Sequence, residues 1–303
     1  MKIQHLLSGS LLAYLVWTSI AAGQELDKPA PKAEFEVTAI RNIVYYDGED
    51  ADPAKHKLDL YLPKDLKEFP VVFFIHGGAW SSGDRNQYSG VGRVFAKHGI
   101  GSVVISYRLS PKVQHPAHIE DVARAFAWTF KNIGAYGGRA DQIFVTGQSA
   151  GGHLAALLAT DETYLKAHHL SIKNIKAAMP VSGVYMIPPR FMERVMGKDA
   201  EIARNASPLL HVSGREPPFL ILYADNDFPG CDKMSIALNE ALRNNKTETS
   251  CVAIKDRNHI TIMLWLMLFD TDPATVAMRD FILKQTTTVE SEKKVDPQGK
   301  SSE

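Results

Sequence analysis

Six short runs of the chain are apolar almost without interruption: VVFFIHG (71–77), GSVVISY (101–107), QIFVTG (142–147), IKAAMPVSG (175–183), FLILYAD (219–225) and SCVAIKD (250–256). A strand with one face in water alternates apolar and polar residues. Runs that do not alternate are buried on both faces, as in a parallel sheet covered by helices. Helical patterns separate most of these runs, at 86–98, 116–134, 150–160 and 232–243, and another follows the last run at 273–284. Pro116, Asp232 and the pair Asp272-Pro273 supply helix starts. Two earlier runs, VTAIRNIVYY (37–46) and KLDLYLP (57–63), do alternate and predict antiparallel strands. Strand and helix in alternation predict an α/β sandwich with a mostly parallel central sheet.

The ends of the chain read differently. Residues 1–23 carry an early Lys2, an apolar stretch from Leu11 to Ile20 and small residues at Ala21, Ala22 and Gly23. That is the layout of a secretory signal, and it predicts export with cleavage near 21–23 to a secreted or periplasmic location. The alternative is an uncleaved anchor, for which the apolar run is short. Residues 24–34 read as a Pro-containing linker and 286–303 as a disordered tail, because neither has an apolar period. One domain over 35–285 is the simplest account of the rest. Within it, 185–215 is long and strand-poor, a candidate lid over a site.

Lys and Arg total 34, as do Asp and Glu, so nothing attracts nucleic acid or an anionic membrane. No stable membrane association is expected once a signal is removed. The eleven histidines lack zinc-site spacing and there is no cysteine cluster, so no metal and no cofactor is expected. In an oxidising compartment Cys231 and Cys251 have the chance to pair, although two separate thiols is the simpler expectation.

Ser149 lies in FVTGQSAGGH (144–153), between a run predicted as a strand and the helical segment HLAALLA. G-x-S-x-G is short and turns up by chance, but a sharp strand-to-helix turn is the context in which it lifts a serine hydroxyl above a sheet. Gly147, Ala150, Gly151 and Gly152 give such a turn the small neighbours it needs. A phosphate loop is disfavoured, since G-x-x-x-x-G-K-[ST] is absent.

A serine nucleophile needs a base, and in this topology the acid and then the histidine follow it in sequence. Only His259 lies beyond residue 211, just after the last predicted strand. The acid should follow the strand before that, where Asp225 and Asp227 both stand in FLILYADNDFPG. Asp225 at the strand end suits a brace. Asp227, in the loop beyond, suits a carboxylate turned back to orient His259. Asp232 and Asp256 read as a helix cap and a solvated residue. Upstream, FFIHGGAW places Gly77 and Gly78 after a strand, where their backbone can approach a substrate. A donor from this loop and the Ala150 N–H would form an oxyanion hole, with Trp80 flanking the pocket.

Over 56–265 the chain resembles the α/β-hydrolase fold, in particular the carboxylesterase branch with an HGG oxyanion loop, which includes acetyl-esterase, hormone-sensitive-lipase-like and feruloyl-esterase-like members. LDLYLP, VVFFIHGGAWSSGD, ISYRLSP, YGGRADQIFVTGQSAGGHLAALLA and FLILYADNDFPG stand in the order this branch uses. The resemblance implies Ser149 as nucleophile, Asp227 as acid and His259 as base, with Gly77, Gly78 and Ala150 at the hole. His76 matches a residue that holds the loop and His153 a non-catalytic helix position. One departure is the base itself, which stands in NHITI where the branch often has GHG. The reaction so implied is hydrolysis of a small carboxylic ester, short-chain or acetyl, through an acyl-enzyme. An arylformamidase-like amidase and a catalytically silent binding module are the alternatives.

Overall fold

The computed structural model describes residues 34–187 and 192–294. The expected signal, most of the expected linker and the last nine residues of the expected tail lie outside them. Eight strands form one sheet: β1 (Val37–Val44), β2 (Lys57–Pro63), β3 (Phe69–Ile75), β4 (Gly101–Ile105), β5 (Gly138–Gln148), β6 (Ala177–Val181), β7 (Phe219–Asn226) and β8 (Thr249–Asn258). Their spatial order is β1-β2-β4-β3-β5-β6-β7-β8. The pairs β1/β2 and β2/β4 are antiparallel and every later pair is parallel. All eight strands fall where the sequence pattern places them, within a few residues at each end.

Successive side chains of a strand point to opposite faces, so the unbroken apolar runs feed two cores. Phe73, Ile75, Val103 and Val145 pack with Val122 and Phe126 of α2 (Ala117–Asn132) and with Leu154, Leu157 and Leu158 of α3 (Ala150–Thr160). Val72, Phe74, Val104 and Phe144 pack on the other side with Phe95 of α1 (Ser89–Lys97). The short α4 (Thr163–Lys166) follows α3; α5 (Ala200–Asn205) lies between β6 and β7, and α6 (Cys231–Asn244) links β7 to β8. Two helices follow β8: α7 (Thr261–Leu268), and α8 (Pro273–Lys294), which runs past the expected end at 284. Extending a helix adds one hydrogen bond per residue fixed, so polar residues can continue one already nucleated.

Parallel register determines where the functional residues emerge. Ile75 pairs with Gly147, Gln148 with Val181, Val181 with Leu222 and Asn226 with Asn258. The carboxyl ends of β3, β5, β6, β7 and β8 therefore finish level along one edge. Chain leaving that edge carries Gly77 and Gly78, Ser149, Ser182, Asp227 and His259. In open α/β sheets this edge is where ligands bind.

The strand-poor segment after β6 is helical in short pieces, with a single turn over 192–196, then α5 and another turn at 208–210. Residues 188–191 lie outside the described residues. Val195, Met196, Ala203 and Ala206 of the segment are buried, and the Val195 carbonyl accepts from the His115 N–H.

Candidate active site

Ser149 sits between β5 and α3 with φ 57° and ψ −118°. A non-glycine residue held there costs on the order of 1–3 kcal/mol and persists only when its surroundings over-determine it. Here they do. The Ser149 N–H donates to the Val181 carbonyl at 3.0 Å, and its own carbonyl caps the His153 N–H at 2.9 Å. A side chain at Gly151 would run into the Ile75 carbonyl oxygen, and one at Gly147 into the Gly151 backbone. The glycines are required because β3 and the first turn of α3 pass within backbone contact.

The structure brings the three residues expected from the sequence into one line. Ser149 Oγ and His259 Nε2 are 2.9 Å apart, and His259 Nδ1 and Asp227 Oδ1 are 2.6 Å apart. Asp227 also accepts from the Phe228 N–H at 2.8 Å and the Ala224 N–H at 3.2 Å. Burial pushes its carboxyl up, but the bond from His259 and the neighbouring Ser182 hydroxyl outweigh that and hold it below its ordinary value. Asp227 is thus ionised at neutral pH, and its acceptor oxygen assigns the proton of the neutral imidazole to Nδ1. Nε2 then faces Ser149 as a proton acceptor. The Phe228 ring stacks on the imidazole at 4.2 Å.

Asp225 takes the other role the sequence left open for it. Its two carboxylate oxygens accept the N–H groups of Asp256 and Arg257 at 3.0 and 3.1 Å. It braces the end of β8 and does not contact His259. Asp232 lies in the first turn of α6, and Asp256 is an exposed residue with φ 55°.

The loop after β3 lies directly beside the serine. A Cβ on Gly77 would stand 3.3 Å from Ser149 Cβ, so the loop backbone borders the nucleophile. Gly78 has φ 114°, and the chain turns there, with the Ser81 and Ser82 N–H groups donating to its carbonyl. His76 holds the loop: its Nδ1 donates to the Gly77 carbonyl at 2.7 Å, and its ring stacks on Tyr107 at 4.4 Å. Burial lowers its pKa to about 4, so it is neutral. Ala150 is the first residue of α3, so its N–H is one of those that a helix leaves without a partner inside itself.

Trp80 corrects an expectation. It does not flank an open pocket; it is 1% exposed and belongs to the core. Its indole N–H donates to His153 Nδ1 at 3.1 Å, and His153 Nε2 donates to the Ala206 carbonyl at 2.6 Å. Burial brings His153 down to about 3. This neutral imidazole ties the loop after β3, α3 and the segment after β6 together. A large amphipathic ring follows its apolar area inward when its one donor finds a buried acceptor.

Two contributors have no catalytic signal in the sequence. Ser182, at the end of β6, is fully buried with φ 46° and stands next to Asp227. Gln148, the residue before Ser149, donates from Nε2 to the His259 carbonyl at 2.9 Å. Its Oε1 packs against Gly77, 2.6 Å from where a Cβ would stand. One buried amide thus lies between the segment that carries His259 and the loop after β3. Gln148→Glu keeps the size and loses the donor. It is expected to lower kcat by about tenfold or more, the scale of a small misplacement of a catalytic group, with KM nearly unchanged. Turnover within twofold of wild type in steady-state kinetics would show that the bond positions nothing.

Among the described residues, the ligand atoms of Asp227, Cys231 and His259 all lie within 4.8 Å of one another. The carboxylate and imidazole of that set are already bonded to each other, so a metal ion there would compete with the contact to His259. Cys231 and Cys251 are not joined in a disulfide.

Comparison with known proteins agrees with this architecture. The chain is 35% identical over 240 residues to the probable carboxylic ester hydrolase LipM of Mycobacterium tuberculosis, covering 70% of this chain and 54% of that protein. It is 35% identical over 210 residues to the esterase LipC of the same organism, covering 62% and 51%. The chain spans about half the length of the curated relatives it matches. Among solved structures, an inhibited esterase B from Lactobacillus rhamnosis superposes with a TM-score of 0.75 at 22% identity, covering 88% of this chain and 92% of that one. A truncated carbohydrate esterase from gut microbiota gives 0.71 at 22% identity, covering 86% and 99%. These likenesses establish the α/β-hydrolase fold. Residues 58–242, more than half of the sequence and including Gly77, Gly78, Ser149 and Asp227, match the family described as BD-FAE, and the chain belongs to that family.

Proposed function

We propose that the chain hydrolyses small carboxylic esters through an acyl-enzyme on Ser149. The observation that carries this is the continuous contact Ser149 Oγ–His259 Nε2–Nδ1–Asp227 Oδ1, at 2.9 and 2.6 Å, beside the glycine loop. Ser149 attacks the ester carbonyl while His259 takes its proton. Asp227 holds the imidazole and stabilises the cation that forms. Charge on the carbonyl oxygen is met by N–H groups of Ala150 and the Gly77–Gly78 loop, where one donor is worth about 3 kcal/mol of transition-state stabilisation. The alcohol leaves with the proton from His259. Water, deprotonated by the same group, then releases the acid. The names of the curated relatives, which include an ester hydrolase and esterases, support the reaction class. Short acyl groups and an exported location are part of the same proposal, the location resting on the N-terminal layout alone.

The test is a panel of p-nitrophenyl esters of increasing acyl length, with acetylated sugars and a formanilide included, together with labelling by a fluorophosphonate. The expected result is covalent labelling and turnover that is greatest for a short acyl ester. No labelling would remove the acyl-enzyme, and turnover confined to the formanilide would make the protein an amidase.

A further inference from the structure

Phe228 follows the acid directly, and two parts of it touch the pair that activates Ser149. Its backbone N–H donates to Asp227 Oδ1 at 2.8 Å, the same oxygen that lies 2.6 Å from His259 Nδ1. Its ring stacks on the imidazole with centroids 4.2 Å apart and planes 27° from parallel. The backbone that carries this ring is held, because the Phe228 carbonyl accepts the Cys231 N–H at 3.0 Å where α6 begins. Phe228 itself is 54% exposed, while His259 beneath it is buried. A large apolar side chain thus stands in water and covers the base. The other holds on His259 lie at its edges or its backbone. Asp227 meets Nδ1, Ser149 meets Nε2 and Gln148 meets the carbonyl, while Asn258 Oδ1 accepts the Ile260 and Thr261 N–H groups on the chain that follows. Among the described residues, Phe228 alone stacks an aromatic ring on the face of the imidazole.

We propose that Phe228 is a positioning residue for the base. Its ring holds the imidazole plane in line between Asp227 and Ser149, and it stabilises the imidazolium that forms when Ser149 gives up its proton. Hydrogen bonds at Nδ1 and Nε2 fix the two ends of the imidazole but resist a tilt about the line joining them only weakly. A ring laid on the face removes that tilt. The face of an aromatic ring also carries a negative quadrupole, and a cation within about 6 Å of its centroid is attracted to it. The neutral imidazole gains little from this field and the cation gains most. An interaction that is stronger in the transition state than before it raises kcat and does not tighten substrate binding. The same imidazolium forms when Ser149 attacks the ester and again when water attacks the acyl-enzyme, so both steps draw on the ring alike and KM is left where it was. The proposal rests on the ester-hydrolase reading, because the charge that the ring meets arises only in that reaction.

The test is steady-state hydrolysis of p-nitrophenyl acetate, beside the rate of fluorophosphonate labelling, for wild type, Phe228→Leu and Phe228→Tyr. Leucine keeps an apolar cover and the backbone N–H to Asp227 but has no π face; tyrosine keeps the face. Phe228→Leu is expected to lower kcat about fivefold or more, the scale of a lost cation–π contact, with KM within about twofold of wild type. Labelling should slow in proportion, since attack of Ser149 on the phosphonate needs the same base. Phe228→Tyr should bring both rates back to within about twofold of wild type. The side chain is half exposed, so the melting temperature should hold; if leucine lowers it, Phe228→Met carries the comparison. A leucine variant as fast as wild type would overturn the proposal. So would one that raises KM at unchanged kcat, which would make Phe228 a wall of the substrate pocket, or a tyrosine variant as slow as leucine. Wild type that is not labelled at all would remove the acyl-enzyme, and this proposal with it. Wild type that is labelled, beside a leucine variant labelled equally fast, would remove the role of the ring alone.

Discussion

Ser149→Ala is expected to reduce hydrolysis of p-nitrophenyl acetate by at least about 10⁴-fold and to abolish fluorophosphonate labelling. Removing a serine nucleophile in such a constellation leaves only the donors of the hole and substrate binding, so the loss of transition-state stabilisation is roughly 5–8 kcal/mol at 1.36 kcal/mol per decade. The fold should be unaffected. Alanine takes the same strained φ 57° that serine already tolerates, and the contacts that impose it, the Val181 carbonyl and the close pass of Gly151 under Ile75, involve backbone alone. A melting temperature near that of wild type, measured beside the kinetics, separates loss of chemistry from loss of structure. Activity within tenfold of wild type would place the nucleophile elsewhere.

Much of this was legible in the sequence because the same physics wrote both patterns. A strand buried on two faces has no room for polar residues, so FLILYAD and VVFFIHG announce a covered parallel sheet. The order of strands then brings Ser149, Asp227 and His259, far apart in the chain, to one edge. What stayed hidden has physical reasons. Helix α7 is apolar throughout, so it shows no 3.6-residue period against which to recognise it. Gln148 acts through one hydrogen bond, and Ser182 lies next to Asp227, and only the folded register supplies either neighbour. Trp80 was ambiguous because its ring suits a pocket wall and a core equally well; the buried His153 Nδ1 decides for the core. Asp225 and Asp227 differ by two residues, and only the bulge where β7 and β8 shift register between Ala224 and Asn226 aims one at β8 and the other at His259.

That last distinction makes the sharpest test of the acid. Asp227→Asn preserves the shape of the side chain and removes its charge. An amide can present N–H to His259 Nδ1, which stabilises the tautomer whose proton faces Ser149 and cannot accept another. In a serine–histidine–aspartate arrangement this change costs about 10⁴ in kcat. Asp225→Asn loses a charge of the same sign two residues away, at the end of β7, but its work is to accept the Asp256 and Arg257 N–H groups, and the amide oxygen still accepts one of them. Its turnover should stay within about tenfold of wild type, since only the brace on β8 is loosened. The two variants differ little in net charge, sequence position or bulk, so a gap of several hundredfold or more between them reports which carboxylate touches the base. Comparable losses in both would mean that the negative charge at the end of β7, and not the 2.6 Å contact of Asp227 with His259, sustains the reaction.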